Sequence, residues 1–403
     1  MSKKQSGFTR RDFLKTAGAA TATSLLSTRE TFGKISGTSG SHLAAVPTRP
    51  FGKTGAQVSI LGLGGMFDIP SNQLVLRQAL KWGVTYWDTA DCYEGGRSEK
   101  GIGSFFTKYP ESRKNVFLVS KSDARDPQGM TRLLDRSLER MKTNYLDLYF
   151  VHGISGIDEL DNGTKAWAQK AKAEGKIKFF GFSSHSNMEE CMLAAAKLGW
   201  VDGIMMTYNY RNMHKTKMKE AVAACKEAGI GLTAMKTQGG WSFLSSSSAK
   251  VMDTFIEKGF TDNQAKLKAV WTNPHMAAIC SQMPNITILM SNVAAAMDKT
   301  SLSAGDLRLL DQYAKETASN YCLGCSNICE TAMGGAVPVA TVMRYLMYYE
   351  SYGDSRRARS LYGQLSSEVR ARIGSFDYSL AEKRCPQGMA IGRLMKRAEQ
   401  LLV

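Results

Sequence analysis

This chain lacks several features that would have assigned its class at once. It has no Gly-x-Gly-x-x-Gly: the nearest approach, Gly62-Leu63-Gly64-Gly65, does not fit the dinucleotide fingerprint and weighs against a doubly wound sheet. Apart from a weakly apolar run at Ala17 to Leu26 it has no long hydrophobic stretch, and that run is too short and small-residued to anchor in a bilayer. No transmembrane helix is therefore expected. No basic–aromatic stripe or nucleic-acid motif is present, so the formal charge of +16 does not point to nucleic acid. Residues 1–34 supply +5 of that charge, from seven basic and two acidic side chains. The rest is spread, with one denser cluster at Arg356-Arg357-Ala358-Arg359. It suits an acidic partner, an anionic surface or simply a solvated face.

What is present from Phe51 to about Met297 is a repeated alternation. A β-branched apolar run is followed by an amphipathic segment and then a Gly or polar turn. Strands are expected at Ser59–Leu63, Thr85–Asp88, Val116–Ser120, Leu146–Val151, Ile177–Phe182, Gly203–Met206, Gly231–Lys236 and Ala277–Cys280. Helices are expected between them, for example at Ser71–Trp82, where Leu76, Ala79 and Leu80 form a stripe at i, i+3, i+4. Eight such units are the size of an α/β fold of the (β/α)8 TIM-barrel type. We expect three regions: 1–45 leader and linker, 46–300 barrel, 301–403 a small helical extension.

Four residues of catalytic type fall at the C-terminal ends of successive strands, where barrel enzymes place their sites. Asp88 and Tyr93 follow the second strand in Asp88-Thr89-Ala90-Asp91-Cys92-Tyr93, Lys121 ends Val119-Ser120-Lys121, and His152 ends Tyr149-Phe150-Val151-His152. Each alone has an ordinary reading as packing, a cap or a core histidine. At these motifs the chain resembles the aldo-keto reductase family, over Phe51 to about Met297. The resemblance implies interconversion of a carbonyl and an alcohol by hydride transfer. Lys121 would lower the pKa of Tyr93, the general acid and base. Asp88 would hold Lys121 charged, and His152 would hydrogen-bond the carbonyl oxygen.

The same resemblance implies a nicotinamide site. Ser183, Ser184 and His185 after the fifth strand would hold the carboxamide, Tyr208 and Asn209 would follow the sixth with the ring beneath the nicotinamide, and Lys236 would begin a phosphate loop. At the adenosine end only Asn292 matches, and no Lys or Arg lies between Ser281 and Asn292. NAD(P)H is thus an expected cofactor, with no support for NADP preference. The Gly239 to Ser248 loop, with Trp241 and Phe243, is a candidate substrate contact.

Cys322, Cys325 and Cys329 are answered by Cys385-Pro386. The two segments resemble the two ferredoxin runs, in which the fourth Cys of each ligates the other cluster. Met333, Tyr378 and Ala381 replace thiolates of one cluster, whereas all four retained cysteines belong to the other. One [4Fe–4S] cluster is expected. Zinc or a pair of disulfides is the alternative, though the second Cys-x2-Cys knuckle of a four-cysteine zinc site is missing. Cys92, Cys191, Cys225 and Cys280 read as small core residues. Exported aldo-keto reductases with such an extension share the segment around Val342 to Asp354, read here as a helix.

Thr9-Arg10-Arg11-Asp12-Phe13-Leu14-Lys15 matches the twin-arginine export signal, with Leu43-Ala44-Ala45 a candidate cleavage site. Folded export carries a cluster made in the cytoplasm, so the two signals agree. The expected location is periplasmic or exported. The expected partners are the twin-arginine machinery, a small carbonyl or alcohol and, where the cluster carries electrons, an electron-transfer protein. Two further readings stand: a purely structural cluster, and a barrel that has lost its cofactor and acts as an electron-transfer or binding module.

Overall fold

The computed structural model describes residues 45–240 and 246–403. The export motif and the Trp241/Phe243 candidate lie outside the described residues. Eight parallel strands close into a barrel: β3 (Leu61–Gly64), β4 (Tyr86–Asp88), β5 (Phe117–Ser122), β6 (Leu146–Ile154), β7 (Ile177–Ser184), β8 (Gly203–Thr207), β9 (Gly231–Met235) and β10 (Met276–Gln282), with β10 pairing back to β3. Every expected strand is found, most within two residues of its expected ends. Side chains alternate across each strand. Tyr86, Phe117, Val119, Leu148, Phe150 and Met205 fill the interior, while their neighbours Trp87, Leu118, Tyr149 and Ile204 pack beneath the helices.

The helix at Gln73–Lys81 buries Val75, Leu76 and Ala79, close to the expected stripe. The ring also contains Arg97–Lys108, between the second and third barrel strands as the alternation expects though without bounds of its own, and Ile286–Met297 after the last strand. Gly101 and Gly103 dilute the helical signal of the first. Gly103 is there for contact: a Cβ on it would lie 2.1 Å from the carbonyl oxygen of Arg140 on the neighbouring helix. The pattern missed an antiparallel hairpin, β1 (Thr48–Pro50) and β2 (Gln57–Ser59), whose strands are too short for periodicity to register. It closes the barrel floor, inserting Phe51 beside Gly203 and Gly231 at the starts of β8 and β9.

After Ala304–Glu316 the chain is helical: Val339–Glu350, Ser355–Gly363, Ser367–Ile373, Ser379–Arg384 and Ile391–Leu402 surround a core of their own, including Val342, Leu346, Tyr362, Ile373 and Met395. This extension is seated on the catalytic end of the barrel. The Gly324 carbonyl accepts from the Asn187 N–H, and Asn327 donates to Asn187 Oδ1 and Glu190. Gly324 has φ +79°, and a Cβ there would lie 2.1 Å from the His185 carbonyl oxygen. Only glycine lets the two backbones approach this closely. Among the described residues, no helix is long and apolar enough to cross a membrane.

Candidate active site

The mouth of the barrel opens into a cavity of about 710 Å³. Asp88, Tyr93 and His152 line it, and Lys121 stands just below. Lys121 is fully buried. Its ammonium donates to Asp88 Oδ1 at 2.6 Å and to the Thr89 carbonyl at 2.7 Å, and lies 4.9 Å from the centre of the Tyr93 ring. The Tyr93 and His152 rings meet edge to face at 5.9 Å. β4, β5 and β6 thus bring the four together at their C-terminal ends.

The electrostatics differ from expectation in one respect. Burial and the Asp88 carboxylate hold the Tyr93 phenol well above its ordinary pKa, and the cation that opposes them most is Arg357, from the extension. Its guanidinium lies 5.0 Å from the Tyr93 ring. Lys121 gives two of its three ammonium N–H bonds to Asp88 and Thr89. Tyr93 is a protonated donor at neutral pH. Burial likewise lowers His152, against the pull of Asp123, whose Oδ1 is 3.2 Å from Nδ1. Neutral His152 with Nδ1 facing Asp123 leaves Nε2 as the ring's other polar atom.

The tyrosine is mounted on a tight turn. Glu94 has φ +51°, a conformation costing about 1–3 kcal/mol for a non-glycine residue. Arg356 of the extension holds its carboxylate at 2.7 Å. Asp123, Arg356 and Arg357 were not singled out as site residues from sequence. Only the Arg356–Arg359 charge cluster was a signal, and it read as solvated surface. Cys92, read as a core residue, is exposed, whereas Cys191 and Cys225 are buried as expected. Cys92, Asp123 and His152 place ligand atoms within 4.8 Å of one another.

The expected nicotinamide contacts divide. His185 and Lys236 line the cavity, and the buried Nδ1 of His185 and Oε1 of Gln238 have no hydrogen-bond partner. Burial, then the charges of Lys236 and Arg344, hold His185 well below its ordinary pKa; burial and Arg344 do the same to Lys236. Lys236 adopts φ +55° at the end of β9. Ser183 Oγ accepts from the Gly153 N–H and can still donate. Ser184 instead gives its hydroxyl to the Ile154 and Ser186 carbonyls. Tyr208 does not line the cavity. Alternation along β8 turns it outward with Ile204 and Met206, and its hydroxyl accepts from Asn273 at 2.8 Å. Asn209 bonds the Lys236 carbonyl and Asn292 bonds Ser281, so both are engaged within the protein.

In the extension, Cys322, Cys325, Cys329 and Cys385 line one small apolar cavity with Leu323, Ile328, Val339, Met343 and Met389. All eight cysteines are free. Burial first, and then neighbouring thiols, push Cys322 up to about 12; Cys329 is raised to about 12 by burial and Glu330. Among the described residues, no three of these sulfurs come within 4.8 Å of one another. A tetrahedral zinc with bonds of about 2.3 Å needs sulfurs about 3.8 Å apart. Four thiols around one apolar cavity, with the Gly324 N–H directed at Cys322 Sγ at 3.4 Å, are a donor set of the kind that thiolate-ligated metal centres use.

Sequence comparison matches residues 61–304, more than half of the chain, to the Aldo/keto reductase family, and residues 7–27 to the twin-arginine translocation pathway signal sequence, which indicates export by that route. "Aldo-keto reductase yakc [NADP(+)]" of Schizosaccharomyces pombe is 30% identical over 205 residues, covering 46% of this chain and 59% of that protein. L-galactose dehydrogenase of Arabidopsis thaliana is 24% identical over 292 residues, covering 64% and 91%. The chain spans 59% and 48% of the length of two of the curated relatives it matches. The holo form of aldo-keto reductase AKR11C1 from Bacillus halodurans superposes with a TM-score of 0.55 at 21% identity, over 66% of this chain and 96% of that one, a likeness of fold.

Proposed function

The chain belongs to the aldo/keto reductase family, and from that premise we propose that it reduces a carbonyl to an alcohol, and runs the reverse, with Tyr93 as general acid and base. The observation that carries this reading is the convergence of Asp88, Tyr93, Lys121 and His152 from three strand ends on one cavity. A nicotinamide, when bound, would supply the hydride. Tyr93 Oη donates its proton to the carbonyl oxygen as negative charge develops there, and its raised pKa keeps that proton in place at neutral pH. His152, oriented by Asp123, hydrogen-bonds the same oxygen and fixes its position. Lys121 and Asp88 neutralise each other beneath the ring and hold the floor of the site rigid. We assign the work to the periplasm or another exported compartment.

Ser183, His185 and Lys236 would hold the nicotinamide end of the cofactor. The other four expected contacts are already used or turned away, which favours weak nucleotide affinity and keeps a second reading alive, in which the barrel takes its reducing equivalents from another bound group. Cys322, Cys325, Cys329 and Cys385 would hold one [4Fe–4S] cluster, supplying one-electron chemistry or a staple between the two segments of the extension. The test is a fluorescence titration of anaerobically purified, cluster-loaded protein with NADH and NADPH. Saturable quenching supports the nicotinamide reading. No binding up to millimolar nucleotide would transfer support to the second.

A further inference from the structure

The helical extension does more than sit beside the barrel mouth: Arg344, Tyr345, Tyr348, Tyr352 and Arg357 line the catalytic cavity itself. They form its roof, opposite the strand ends. The charges on that roof are not balanced. The acids lining the cavity are Asp88, which pairs with Lys121, and Asp123, which faces His152 and also feels the charges of Arg125 and Arg344. Arg125 is committed to Glu159. Neither Arg344 nor Arg357 forms an ion pair among the described residues, and the buried Nε of each has no hydrogen-bond partner. Lys236 and Arg357 approach the ring of Tyr348 to the same distance, 5.7 Å. Arg357 also lies over Tyr93.

A guanidinium held out of bulk water without a counter-charge is costly, and its fork geometry matches a carboxylate. Two guanidiniums without ion-pair partners on the roof, one of them over the Tyr93 ring, make the cavity complementary to an anion. We propose that Arg344 and Arg357 of the extension are substrate-binding residues that select a carbonyl compound bearing a carboxylate. This rests on the reductase reading for the word substrate, but the anion site itself does not. The carboxylate would sit between the roof and Lys236. The reacting carbonyl would then lie on the barrel side, within reach of Tyr93 and His152. A phosphate of a dinucleotide offers the same chemistry from the cofactor side, so the test must separate the two sources.

The probes are benzoate and benzamide, which have one shape and two charges and are not turned over, together with 4-carboxybenzaldehyde and 4-methylbenzaldehyde. Calorimetric titration of cluster-loaded protein should show benzoate binding about tenfold or more tightly than benzamide. Arg344→Gln and Arg357→Gln should each erase most of that ratio. The ratio of kcat/KM for the carboxylated over the methylated aldehyde should fall by about tenfold in each variant, with nucleotide affinity unchanged. Equal binding of benzoate and benzamide by the unaltered protein would overturn the proposal. So would variants that weaken nucleotide binding but keep the aldehyde ratio, because the arginines would then serve the cofactor. A protein that turns over neither aldehyde but discriminates benzoate through both arginines would sustain the anion site and sink the reductase reading instead. Iron content and thermal unfolding identify a variant that has lost its extension. In that event Arg357→Lys, which keeps the charge and loses the fork, should still reduce the benzoate preference, and an unchanged preference there would overturn the proposal.

Discussion

The barrel and the extension differ in how they treat their buried cations. The barrel pairs several of its own with acids. Lys121 meets Asp88, Arg113 and Lys178 share Asp147, and Arg140 meets Glu99. The extension leaves its polar groups open: four thiols face one apolar cavity, and two arginines face the barrel mouth without carboxylate partners. A region whose charges are internally satisfied can serve as scaffold, because nothing has to arrive for it to be stable. A region that presents unpaired groups is organised around what it binds. On the proposed reading, the barrel holds the chemistry in place and the extension selects what reaches it.

The contrast can be broken most severely at the cysteines. Cys385→Ser removes the one proposed cluster ligand contributed by the second segment. Cluster iron and visible absorbance should be lost altogether and hydrogen exchange should rise across residues 321–400, while the barrel strands stay protected; a variant with full iron would refute the four-cysteine set. Next comes Lys121→Met, which strands Asp88 as an uncompensated buried charge. Unfolding by urea should show a loss of about 3–5 kcal/mol, centred on the barrel, and a loss below about 1 kcal/mol would mean the pair is not the buried unit described.

A smaller effect tests how the two regions meet. Gly324→Ala forces a Cβ against the His185 carbonyl and a left-handed φ on a non-glycine residue, at about 1–3 kcal/mol. Exchange protection should fall around 185–187 and 324–327 and nowhere in β3 to β6. Uniform protection would mean the seam is looser than it looks. The smallest expected change is with pH. Tyr93 is held protonated by burial and by Asp88, so carbonyl reduction should vary by less than about twofold between about pH 6 and pH 8 and decline only at strongly alkaline pH. The reverse oxidation, which needs the phenolate, should rise across the alkaline range. Removing the charge of Arg357, which lowers the phenol, should move both limbs to higher pH. A reduction limb falling through neutral pH would show a depressed phenol and contradict the reported electrostatics.

Much of this was legible in the sequence because strand ends carry their own signature. Asp88, Lys121 and His152 each terminate an apolar β-branched run, and the barrel's parallel order then brings them together. Tyr208 shows the limit of that reasoning. It follows β8 as expected, but a period of two had already assigned it to the outer face with Ile204 and Met206. The raised phenol of Tyr93 was not legible, because burial and the commitment of Lys121 to Asp88 are properties of packing. Nor was the roof. Arg344 and Arg357 lie some 190 residues and more beyond His152, in helices whose charge pattern resembles any solvated face, and only tertiary placement turns them toward the cavity. The four cysteines were the reverse case. Their spacing carried the expectation, and the fold gathers them around one cavity.

The most direct test of the account is turnover of Tyr93→Phe in cluster-loaded protein, assayed anaerobically with 4-carboxybenzaldehyde and reduced nicotinamide nucleotide. The account predicts that kcat falls by about 10²–10⁴-fold while iron content and thermal unfolding stay at their unaltered values. Turnover equal to that of the unaltered protein would contradict it, because the convergence on Tyr93 would then have no part in the chemistry.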